Sequence, residues 1–97
     1  MATVKVLDIA DSCYSWEDGK AVYDEIKDYL VARHDVRLSF SGVSVVTSTF
    51  VNAALIDLLD SVDFETIREH LTIADVNSYV ADMIVRRFRF EVENRTT

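Results

Sequence analysis

At 97 residues the chain has room for one core and not for a second, and with 49% hydrophobic and 10% aromatic residues it has the makings of a folded domain, not a disordered one. Ten basic residues against seventeen acidic ones leave a net charge of −7, which repels phosphate backbones and disfavours general nucleic-acid binding. The single cysteine, Cys13, excludes an internal disulfide. No signal-type start is seen and no stretch approaches the ~18 apolar residues of a membrane span, so the expectation is a cytoplasmic protein without a membrane partner.

Thr3 to Ile9 alternates, with Val4 and Val6 on one face and Leu7 and Ile9 on the other, and reads as a first strand. After a polar stretch from Asp11, Ser15 opens a helix, because an acidic residue, Asp18, stands three positions after a capping hydroxyl. That helix is expected to run to about Arg33 on the stripe Val22, Ile26, Tyr29 and Leu30. Val36 to Phe40 is the second strand, and Gly42 marks the turn after it, where a positive φ costs glycine little.

A second helix starts near Thr47 or Ser48, with Phe50, Ala53, Ala54 and Leu58 as its apolar stripe and Asp57 and Asp60 facing water. Leu71 to Val76 is the third strand. Asn77 or Ser78 caps a last helix that buries Val80, Met83, Ile84 and Phe88. From Arg89 the chain alternates again through Phe90 and Val92, and residues 89–97 read as an extended or flexible tail of the one domain.

The order β-α-β-α-β-α predicts an α/β fold with a mostly parallel sheet and helices packed on it. Such sheets carry their functional loops at the carboxyl ends of the strands. Three segments should therefore meet at one edge: Asp11 to Ser15, Gly42 to Thr49, and Asp75 to Ser78. This edge, rich in hydroxyls and carboxylates, is the predicted functional surface, with Asp11, Ser12, Asp75 and Asn77 on its outer loops.

Two isolated glycines build neither a phosphate loop nor a dinucleotide loop. His34 and His70 have no cysteine or carboxylate at zinc-ligand spacing, and Asp8, Asp11 and Asp18 do not match a calcium loop. Cys13 reads as a small apolar filler or a surface thiol. Arg86, Arg87, Arg89 and Arg95 are interleaved with Glu91 and Glu93 and read as a solvated helix end. The expectation is a chain without catalysis, metal or cofactor.

The most informative local feature is Thr47-Ser48-Thr49, three hydroxyls at a helix start. Capping needs one of them. The others are left to contact a ligand or partner or to accept a phosphate, which the helix dipole would tolerate.

The run Val36-Arg37-Leu38-Ser39-Phe40-Ser41-Gly42-Val43, followed by Val46-Thr47-Ser48-Thr49-Phe50-Val51-Asn52, resembles the central motif of bacterial STAS-like domains of unknown function. In that family a strand ending Asp-Phe-x-Gly-Val leads to a Thr-x-Ser-Phe-type helix start. The segment Ser15-Trp16-Glu17-Asp18-Gly19-Lys20 is similar to the family's Ser-Arg-x-x-Gly opening of the first helix. Ser39 stands where the family usually has aspartate, and Trp16 where it often has arginine.

The wider STAS group includes anti-sigma-factor antagonists, signalling modules controlled by serine phosphorylation at the start of the second helix. By similarity, Ser48 falls on the phosphoacceptor of their Asp-Ser-Ser-Gly motif, with Thr47 in place of the aspartate and Phe50 in place of the glycine. The resemblance implies a regulatory binding module, and a histidine-kinase-type ATPase or serine kinase as its class of partner. Its expected contact residues are Gly42, Val43, Thr47, Ser48, Thr49, Phe50 and Asn52. Two other readings stay open: a small-ligand or nucleotide sensor using the strand-end loops, and a homo-oligomerising unit joined through a sheet edge or the Phe88, Phe90 and Val92 segment.

Overall fold

The computed structural model describes residues 1–95. Its sheet has three parallel strands in the order β1-β2-β3: β1 is Ala2–Lys5, β2 is Val36–Ser39 and β3 is Leu71–Ala74. A sequential order means that crossovers of one hand place every helix on the same face. The burial pattern agrees. The rows Ala2–Val36–Leu71 and Val4–Leu38–Ile73 face the core, whereas Thr3, Arg37 and Thr72 form an exposed row on the opposite face. The result is one layer of helices on one layer of sheet.

The helices are α1 (Val6–Ile9), α2 (Trp16–Val31), α3 (Ser48–Ala54), α4 (Phe64–His70) and α5 (Ser78–Arg95), with a 3-10 turn over Ile56–Asp60. Phe40, Phe50, Ile26, Leu30, Leu38, Leu55 and Leu58 lie fully inside. Each main helix is capped from its own sequence. Ser15 Oγ accepts from the Asp18 N–H, Thr47 Oγ1 from the Phe50 N–H, Asp63 Oδ1 from the Thr66 N–H and Asn77 Oδ1 from the Val80 N–H.

Three expectations need correction. The first strand stops at Lys5, because β2 offers no partner beyond Ser39; Val6–Ile9 instead closes one helical turn, with the Ala10 N–H on the Val6 carbonyl. Between α3 and β3 the chain folds the 3-10 turn and α4, neither of which was expected. Residues 89–95 are not an extended tail but the last turns of α5, held by Arg87–Glu91 and Arg95–Glu91 pairs at helical spacing and by Arg95 on Asp60. Thr96 and Thr97 lie outside the described residues. Among the described residues no helix is long and apolar enough to cross a membrane.

Candidate functional site

The three predicted segments do converge at the carboxyl end of the sheet. Thr47 joins the first two: its N–H donates to the Cys13 carbonyl and its hydroxyl donates to the Tyr14 carbonyl at 2.7 Å. Asn77 joins the second and third, since its side-chain N–H donates to the Ser44 carbonyl at 2.9 Å while its Oδ1 caps α5. At the root of this edge Ser39 Oγ donates to Asp75 Oδ2 at 2.7 Å and accepts from the Ser41 N–H. Asp75 sits at φ 55, a left-handed conformation that aspartate tolerates better than most residues, and Arg37 stands 3.8 Å from its other carboxylate oxygen.

Gly42 is required where it stands. The turn Phe40–Ser41–Gly42–Val43 closes with the Val43 N–H on the Phe40 carbonyl, and Gly42 has φ 84, the third position of a type II turn. A Cβ there would also meet Leu7 Cδ1 at 3.0 Å. The turn leaves a shallow hollow of about 280 Å³ lined by residues that include Leu7, Asp11, Ser12, Tyr14, Val43 and Val45.

The expected contact residues sort into two groups. Ser48 and Thr49 are exposed, as are Gly42, Asp11 and Asp75, and Val43 is half-buried. Thr47 is the cap and has no hydroxyl proton to spare, since it is given to Tyr14. Ser12 donates to Asp18 at 2.7 Å, and Asn52 accepts from Arg87 Nε at 3.0 Å, so it braces α3 against α5. Phe50 corrects the expectation: its side chain is 0% exposed and packs in the core, where no partner reaches it.

Sequence reasoning missed the apolar character of this edge. Tyr14, Trp16 and Tyr79 are each more than half exposed, with Leu7 and Val45 somewhat less so. All five belong to the converging segments or adjoin them. The available signal was placement: Trp16 and Tyr79 fall in the first turns of α2 and α5, beside the caps, where the buried stripe runs off the end of the core. Ser48 lies on the flank of the edge and shares a surface hollow with Arg86, Arg87 and Phe90 of α5.

The arginines of α5 are mostly engaged within the fold. Arg86 pairs with Asp82 at 2.9 Å, Arg87 holds Asn52 and Glu91, and Arg95 holds Asp60. The Cys13 thiol is buried near Asp18, and burial first, then the Asp18 charge, pushes its pKa up to about 11. It is therefore a neutral thiol at physiological pH, not a nucleophile.

Comparison with known proteins bears on the family. Nothing among curated proteins or solved structures matched the chain. The family described as "STAS-like domain of unknown function (DUF4325)" matches residues 18–81, from the first turn of α2 through β2, the Gly42 turn, α3 and β3 to the first turn of α5. The chain belongs to that family of STAS-like domains.

Proposed function

We propose that the protein is a non-catalytic regulatory module that captures a protein partner through the carboxyl edge of its sheet, beside the start of α3. The observation that carries this reading is a set of exposed large side chains on one edge built by three tied loops: Leu7, Tyr14 and Val45 around its hollow, and Trp16 and Tyr79 in the first turns of the helices that start there. Large apolar side chains left in the open along one edge are typical of association surfaces, where aromatic anchors dominate the binding energy. The hollow at this edge, about 280 Å³ and open, lies just below the ~300–1,000 Å³ usual for ligand pockets. That favours a protein over a small ligand.

Ser48 is the regulatory residue in this reading. Its hydroxyl is exposed, it is not the cap, and it adjoins Arg86 and Arg87. A serine kinase would transfer the γ-phosphoryl of ATP to Oγ, releasing ADP and the hydroxyl proton. The new dianion would draw on those arginines and alter the charge at the edge of the interface. A histidine-kinase-type ATPase is the partner class that the resemblance implies.

The test is affinity capture from native extract with wild type, Ser48→Asp, Trp16→Ala and the remote surface variant Glu25→Gln. One protein identified with wild type and Glu25→Gln, and reduced at least tenfold with Trp16→Ala and Ser48→Asp, is the expected result. Equal recovery with all four sinks the proposal.

A further inference from the structure

β3 is an edge strand, and α4 and α5 flank it on the helical face, touching through Phe64 and Phe88, whose ring centroids are 5.7 Å apart. Beside that contact runs an open groove of about 470 Å³ lined by apolar side chains that include Phe64, Ile67, Ile73, Val85, Phe88 and Val92. This volume falls inside the ~300–1,000 Å³ usual for small-molecule sites. Val85 is 52% exposed, so apolar surface of the groove stands in water.

Two hydrogen-bond donors of the groove residues lack acceptors. Neighbouring residues of a strand turn their N–H and C=O groups to opposite sides. The Phe40 N–H takes the Ala74 carbonyl, so Ala74 faces β2 and Ile73 turns its N–H outward, where no strand lies among the described residues. The Leu71 N–H also turns outward, but the Ile67 carbonyl holds it. The second donor is the Arg89 guanidinium. Unlike Arg86, Arg87 and Arg95, Arg89 makes no ion pair or hydrogen bond among the described residues. Covering either donor is costly unless the ligand brings an acceptor.

The balance of charge then selects the head group. Glu65 holds Arg68 at 2.8 Å, and Arg89 and Glu93, one turn apart on α5, supply one charge of each sign. A carboxylate or an ammonium would be attracted by one sign, repelled by the other and stripped of water. An uncharged carbonyl loses less and can accept from either donor. We propose that the groove binds an uncharged acyl ester, its chain lying along α5 and its carbonyl oxygen accepting from a donor left unpaired at Ile73 or Arg89. By helical rise the α5 wall from Ile84 to Glu93 is about 14 Å long. An extended chain advances about 1.2 Å per bond, so the wall matches about ten to twelve bonds, a medium-length acyl chain with its ester group. The groove is separate from the carboxyl edge of the sheet proposed above for partner capture.

Titration of the isotope-labelled whole chain with ethyl octanoate to about 300 μM, followed by amide and side-chain NMR, tests the proposal at the affinity expected of so small a ligand. The expected result is a saturable shift confined to groove residues, with the Ile73 amide or the Arg89 side-chain proton moving as it gains an acceptor. Octanoate and octylammonium, with similar chains and charged heads, should bind at least about fivefold more weakly. Val85→Glu and Val85→Lys each set a charge in the groove at an exposed position, so both should keep the wild-type circular dichroism and lose the shifts. Trp16→Ala, at the other surface, should bind as wild type does. Overturning results are no saturable shift, shifts centred on Tyr14, Trp16 and Tyr79, octanoate or octylammonium binding as tightly as the ester, or binding that survives both Val85 variants.

Discussion

Ser39 Oγ lies 2.7 Å from Asp75 Oδ2, so the last residue of β2 is tied to the first residue after β3. The bond supports Asp75 in its left-handed conformation and sets the base of the functional edge. An aspartate in place of Ser39 would face a carboxylate already in place. Ser39→Asp is predicted to destabilise the fold at pH 7 by about 1–2 kcal/mol, after allowance for Arg37 and for solvent at the half-exposed Asp75. Two carboxyls that repel in the folded state raise the upper titration step above its unfolded value. Their folded-state stability is then intact below the unfolded carboxyl pKa and is lost as pH rises through the folded one. Urea unfolding of the variant should show a smaller deficit at pH 4 than at pH 7; an equal deficit would assign the cost to packing.

The three hydroxyls of Thr47-Ser48-Thr49 should separate cleanly by mutation. Thr47 alone caps α3 and also bonds the Tyr14 carbonyl, so Thr47→Ala is expected to cost about 1–2 kcal/mol. Ser48→Ala and Thr49→Ala, at exposed positions, should fall within about 0.5 kcal/mol of wild type. Thermal unfolding of the three variants checks this. A cost at Ser48 as large as at Thr47 would make Ser48 structural and remove it as a regulatory residue.

The same division separates what is legible in the sequence from what is not. Local chemistry was legible: the Ser15, Thr47 and Asn77 caps and the Gly42 turn each depend on side chains a few residues apart. What depended on a distant partner was not. Val6 to Ile9 alternates like a strand, and only the four-residue length of β2 prevents it from being one. Phe88, Phe90 and Val92 also alternate, and the ion pairs of Glu91 with Arg87 and Arg95 settle that segment as helix. α4 did leave a signal, Asp63 three residues before Thr66 with Phe64 and Ile67 behind it, which the eye passes over because the helix has only seven residues. Helical period placed Phe50 on the apolar stripe of α3, where it is buried, so its second reading as a contact residue fails; the exposure of Tyr14, Trp16 and Tyr79 went unread, since period names a stripe but not where the core ends.

Gly19 is where α2 and α3 come closest. A Cβ on it would stand 2.6 Å from the Phe50 carbonyl oxygen and 2.7 Å from Ala53 Cβ. Both neighbours are fixed, one by backbone and one by a side chain with no rotamer to change. Gly19→Ala should therefore destabilise by about 1–3 kcal/mol through overpacking, although alanine is the better helix former. Phe50→Ala on the other side of the contact empties a fully buried ring and is expected to cost about 3–5 kcal/mol. Loss of partner binding in that variant would report unfolding, which circular dichroism on the same sample would reveal.

Cys13 gives the fold an alkaline limit. Its pKa is pushed up from 9.0 to about 11 by burial and then by Asp18, so the folded state holds the thiol proton more tightly than the unfolded chain does. A raised folded pKa gives stability that is complete below the unfolded value and lost as pH climbs to the folded one. Stability should thus decline between about pH 9 and pH 11, and Cys13→Ala, which has nothing to ionise there, should show a flatter decline. The native thiol should also resist an aromatic disulfide reagent at pH 8 and react at a rate that follows the unfolded fraction as urea is added. Rapid labelling without urea would mean that the loop from Asp11 to Ser15 opens on its own, and that the edge it helps to form is not preorganised for its partner.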